Sequence, residues 1–110
     1  MMTRAHATLL VFTLAISPAL AFGADLVAGQ AKVKEICAAC HGQDGNSQSD
    51  AYPKLGGQYP DYLAKALRDY KSGARKNPIM AGFAATLTDK DIDNVAAYFA
   101  SQPPVLAPRS

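Results

Sequence analysis

Cys37, Cys40 and His41 are the residues whose types and spacing could carry chemistry, because Cys37-Ala38-Ala39-Cys40-His41 is a C-x-x-C-H run, the attachment signature of c-type haem. The spacing has a physical reason. Residues i and i+3 at a helix end project to one side, where two thiols can reach the two vinyl groups on one porphyrin edge. The next residue then brings an imidazole beneath the iron. Other chemistries remain open for the same residues. A Cys37–Cys40 disulfide is allowed in an oxidising compartment. A redox-active C-x-x-C is another option, although it wants a βαβ context and no strand pattern is visible. A structural zinc site needs four ligands, and beyond residue 23 the chain offers only two Cys and one His.

A haem iron in an electron carrier takes a sixth ligand, and Met opposite His raises its potential. Met1 and Met2 stand at the N-terminus, so Met80, in Asn77-Pro78-Ile79-Met80-Ala81-Gly82, is the one methionine of the remaining chain. A lone Met is often a gap-filler in a core; its uniqueness and an expected loop setting favour ligation. With His41 and Met80 both bound, no iron position is open to substrate. The reading is therefore an electron carrier and not an enzyme.

The elements that must position these residues read as all-α. Arg4, an apolar run over Ala7–Ile16, the break at Ser17-Pro18 and small residues at Ala19, Ala21, Gly23 and Ala24 form the layout of a secretory signal peptide. Cleavage after Ala21 or Gly23 fits best. Residues 1–23 are thus expected to be the signal and 24–110 one domain, periplasmic and without stable membrane insertion. A first helix opens at the N-cap Asp25, carries Leu26, Gly29, Val33, Ile36 and Cys37 at three-to-four spacing, and delivers the cysteines at its end. A second runs from Pro60 to Gly73 with a Tyr62, Leu63, Ala66, Leu67, Tyr70 stripe. The third opens on a Thr88/Asp91 capping box, buries Ile92, Val95, Ala96 and Phe99, and stops before Pro103-Pro104. Between them lie two long irregular stretches, His41–Tyr59 and Ala74–Leu87. Loops of that length are uncommon unless functional, and here they are placed to wrap a cofactor.

Only Arg4 among the cations leaves with the signal, so the remaining domain is near neutral. That argues against nucleic acid as partner. So small a domain usually needs a staple. A haem exposes more apolar area than an aromatic side chain, each of which buries about 150–250 Å². At about 25 cal/mol per Å² its burial is worth on the order of 10 kcal/mol, comparable with a domain's whole stability. Tyr52, Leu55, Tyr59, Leu63, Leu67, Ile79, Phe83, Leu87, Val95 and Phe99 are the candidates for the pocket wall or the core beside it.

Ala28-Gly29-Gln30, Cys37–Ser47, Tyr52–Gln58 (YPKLGGQ), Asn77–Ala81 (NPIMA) and Ala96–Gln102 (AAYFASQ) together resemble the class I c-type cytochromes. The likeness is to single-haem domains of the periplasmic cytochrome c-four type, and it covers nearly all of the chain beyond the signal. It implies a small class I cytochrome c fold, with three main helices and long loops around one covalently attached haem c. It also implies Met80 as axial ligand and a hydrogen bond from His41 to the carbonyl of Pro53, which would fix the imidazole tautomer. The first and last helices should cross near Gly29, with Val33 on one side and Val95 and Tyr98 on the other. Two-haem members carry a second homologous half, so a monohaem relative or a half-molecule forming a homodimer is implied here.

The expected partners are redox proteins: a quinol-oxidising complex or dehydrogenase on one side, a terminal oxidase or reductase on the other. The alternative is a haem subunit held permanently by a periplasmic enzyme complex. Lys65, Arg68, Lys71, Arg75 and Lys76, facing only Asp69 as local counter-charge, are a candidate docking stretch for an acidic partner.

Overall fold

The computed structural model describes residues 2–11, 13 and 23–105. The break at Ser17-Pro18 and the cleavage residues Ala19 and Ala21 lie outside the described residues. Helix α1 (Leu26–Lys32) passes without interruption through a π-helical turn, Val33–Cys37, into α2 (Ala38–His41). Then come α3 (Pro60–Ser72), the short α4 (Pro78–Ala84) and α5 (Asp89–Ser101), with no strand among the described residues.

Local sequence explains where these helices begin. The Asp25 side chain accepts from the Ala28 amide at 3.0 Å, capping α1. Proline, whose missing N–H costs nothing in a first turn, opens both α3 and α4. Thr88 Oγ1 accepts from the Asp91 amide at 3.1 Å while the Asp91 carboxylate accepts from the Thr88 amide at 3.0 Å, so the capping box of α5 is complete.

The core is formed where α1 crosses α5, with α3 packed on α5 and α4 on α3. Val33, Ile92 and Val95 are its largest fully buried side chains, joined by Leu63, Leu87, Tyr98 and Phe99. Gly29 permits the crossing: a Cβ there would stand 2.2 Å from the Asn94 carbonyl oxygen and 3.0 Å from Tyr98 Cβ. A backbone oxygen cannot swing aside, so the contact resembles overpacking with no escape. Gly29→Ala is expected to cost about 3 kcal/mol or more, far beyond the ~0.5–1 kcal/mol that alanine contributes in an open helix. Denaturant unfolding of the haem-loaded protein measures this, and an unchanged or raised midpoint would contradict the close crossing.

Asn94, buried on α5, accepts from the Asp25 amide at 2.8 Å and so locks the start of α1 to the same crossing. No periodic pattern marks Asn94, whose role depends on a residue 69 positions away.

Candidate haem site

The C-x-x-C-H segment lies at the end of the first helical rod, just beyond the π turn. In that turn the Ala38 amide reaches back to the Val33 carbonyl, five residues away rather than four. The extra residue rotates everything after Val33 relative to α1, so the cysteines need not follow the Gly29–Val33 stripe into the α5 interface. Cys37 and Cys40 are free, half-buried thiols. Cys37 packs against the edge of the core, as do Ile36, Leu55 and Leu67. Burial pushes its thiol up to about 11, against a smaller opposing pull from Lys32. A thiol protonated at neutral pH is unlike the low-pKa thiolate of a redox-active C-x-x-C.

His41 is buried, and its Nδ1 lies 2.9 Å from the Pro53 carbonyl oxygen. A carbonyl only accepts, so Nδ1 carries a proton, and in the neutral imidazole the lone pair is then on Nε2. Nε2 has no protein partner among the described residues. Tyr52 meets the imidazole edge-on, ring centroids 6.3 Å apart.

The loop holding Pro53 is pinned along its length. Leu55 and Gly56 donate to the Gly45 carbonyl at 2.7 and 3.0 Å, and Gly57 donates to the Phe99 carbonyl at the end of α5 at 2.9 Å. Gly45 has φ +74°, and a Cβ on it would sit 2.7 Å from both the Gly56 nitrogen and the Phe99 ring. Buried Asn46 donates to the Pro103 carbonyl at 3.0 Å and accepts from the Val105 amide at 2.9 Å. Tyr98 donates its hydroxyl to the Gln43 carbonyl at 2.8 Å. Position in the C-x-x-C-H motif singles out His41, whereas Gly45, Asn46 and Tyr98, which set its orientation at one remove, have no local signature.

Met80 is half-buried, and its setting differs from expectation: it belongs to the seven-residue helix α4, not to a loop. Asn77 accounts for the difference by capping that helix, its Oδ1 accepting from the Ile79 and Met80 amides at 3.0 and 3.1 Å. Of the apolar candidates, Leu63, Leu87, Val95 and Phe99 are core, and Leu55 and Leu67 border it. Tyr59 and Ile79 are 79% and 65% exposed, with Tyr52 and Phe83 also exposed. Two free thiols one helical turn apart and a buried imidazole with one uncommitted nitrogen are the chemistry that covalent haem attachment needs, and Met80 adds a half-buried thioether on α4.

The basic stretch is largely engaged. Lys65 pairs with Asp69 one turn on, and Arg68 bridges to Asp93 at 2.8 Å and Asp89 at 3.5 Å on α5. The Lys71 ammonium donates to the Leu87 carbonyl, and the Arg75 guanidinium lies 4.8 Å over the Tyr70 ring.

A helical fold with no strand among the described residues, and with thiols and histidine so arranged, defines a class I c-type cytochrome domain. The model of the family described as cytochrome c oxidase, cbb3-type, subunit III matches residues 24–99, and the chain belongs to that family. It is 45% identical to cytochrome c4 of Pseudomonas aeruginosa over 93 residues, which cover 84% of this chain and 46% of that protein. It is 41% identical to cytochrome c-554(548) of Halomonas halodenitrificans over 81 residues, 71% of this chain and 96% of that one. The crystal structure of reduced recombinant cytochrome c4 from Pseudomonas stutzeri superposes with a TM-score of 0.68 at 44% identity, covering 74% of this chain and 47% of that chain. The chain thus spans about half the length of the cytochrome c4 relatives it matches. The cofactor of such a domain is covalently bound haem c.

Proposed function

We propose that this chain carries single electrons in the periplasm, with one haem c joined to Cys37 and Cys40 and its iron held between His41 and Met80. The observation that supports this best is the His41–Pro53 hydrogen bond at 2.9 Å. A buried imidazole whose Nδ1–H is committed to a carbonyl can present only a neutral, oriented Nε2 to a metal, and the bond makes that nitrogen a better donor. When bound, the haem supplies a one-electron couple whose two axial ligands stay in place. Cys37 and Cys40 fix its orientation, and Tyr52, Tyr59, Ile79 and Phe83 offer apolar surface beside it. With both axial positions taken by protein, the role is transfer rather than catalysis.

Residues 1–23 serve as the export signal and 24–110 as the functional domain; Arg4, the apolar run after it and the small residues that follow support this reading. No helix among the described residues is long and apolar enough to cross a membrane. The partners are redox proteins docking transiently, a quinol-oxidising complex or dehydrogenase as donor and a terminal oxidase or reductase as acceptor. A homodimer would bring two such haems together.

The test is purification from the periplasm at high salt, followed by potentiometric titration. One haem per chain, elution free of other proteins and a one-electron Nernst curve are expected. Co-elution with a dehydrogenase through high salt would instead make the chain a permanent subunit.

A further inference from the structure

We infer that Asn77 is a positioning residue for the sixth iron ligand; the inference rests on the reading of Met80 as that ligand. The first turn of a helix leaves its early amides without intrahelical partners, and in α4 Asn77 and Pro78 account for those of positions 78–80. Pro78 has no N–H to satisfy. Asn77 Oδ1 takes the Ile79 and Met80 amides, and the Asn77 carbonyl takes the Ala81 amide at 2.8 Å. The Met80 main chain is therefore held directly by one side chain, and both its neighbours are held by the same residue.

Little else fixes the front of this helix. Seven residues are too few to be helical unaided, and Ala84, at the far end, is its only buried residue. The other ties also lie at that end: Thr86 Oγ1 donates to the Phe83 carbonyl at 2.7 Å, and Lys71 holds the Leu87 carbonyl. Asn77 itself is exposed and outside the core, so its loss acts on α4 rather than on the α1–α5 crossing.

An external ligand can bind the iron only while Met80 is away from it, so its apparent affinity follows the population in which Met80 is released. Losing an N-cap of ordinary strength raises that population about five-fold. The experiment is titration of the ferric haem-loaded protein with imidazole, followed by absorbance, for wild type, Asn77→Ala, Asn77→Asp and Met80→Ala. Asn77→Ala should bind imidazole about five-fold tighter than wild type, and Met80→Ala tighter still. Asn77→Asp should return to the wild-type value, because a carboxylate caps as well as an amide. Tighter binding in Met80→Ala with no change in Asn77→Ala would overturn the role of Asn77 and leave Met80 as ligand. Asn77→Asp matching Asn77→Ala would overturn the capping explanation. No effect of Met80→Ala would remove Met80 as ligand, and the role of Asn77 with it.

Discussion

Met80→Ala should leave the haem attached, lower its reduction potential and admit ligands that the wild type resists. The proposed attachment residues, Cys37 and Cys40, lie 40 or more positions earlier in the chain, so attachment should survive the change. A thioether favours the reduced iron, so its removal stabilises the oxidised form, and the potential falls by a substantial part of the roughly 0.8 V that axial ligation spans. Cyanide or imidazole no longer competes with an internal ligand, and its affinity rises by more than the ten-fold that about 1.4 kcal/mol represents. Met80 is half-buried, so the loss of packing lies toward the low end of the ~2–5 kcal/mol typical of core truncations. Potentiometry and ligand titration measure both effects. Wild type binding cyanide as readily as the variant would show that Met80 is not on the iron.

What the sequence revealed was whatever a few neighbouring residues decide. Thr88 and Asp91 are three apart, and their capping box needs no other part of the chain. Pro60 marks the start of α3 for the same reason. Helix α4 escaped notice because Pro78 and Gly82 read as loop residues and only Ala84 is buried, leaving no apolar period to detect. The π turn is equally silent: it is a shift of hydrogen-bond partner within Val33–Cys37, and the apolar spacing there looks like that of an ordinary helix.

The basic stretch shows the same limit in electrostatics. In sequence Asp69 is the sole nearby carboxylate, but folding brings Asp89 and Asp93 from α5 against Arg68. Lys71 is committed to the Leu87 carbonyl and Arg75 to the Tyr70 ring. Only Lys65 and Arg68 are ion-paired, whereas Lys71, Arg75 and Lys76 keep their full charge, so the surface for steering an acidic partner is narrower than the linear charge run suggests. Exposed ion pairs such as these contribute little to stability, about 0–1 kcal/mol each. Their main effect here is to quench local charge.

Cys37→Ala and Cys40→Ala should each weaken haem attachment, and the double change should abolish it. On the proposed attachment each thiol supplies one thioether; with one gone the haem would still hang from the other and from His41, while with both gone only the iron–ligand bonds would remain. Those bonds do not survive denaturation, whereas thioethers do. The single variants also lose some packing, Cys37 more directly because it lies against the core with Leu55 and Leu67. The double variant therefore folds poorly as well as losing haem, but covalent attachment is read on denatured protein, where folding plays no part. A haem stain of wild type and the double variant, side by side on a denaturing gel, is the most direct measurement. Haem migrating with the wild-type chain and absent from the double variant is expected; a wild-type chain without haem, or a double variant that keeps it, contradicts attachment at Cys37 and Cys40.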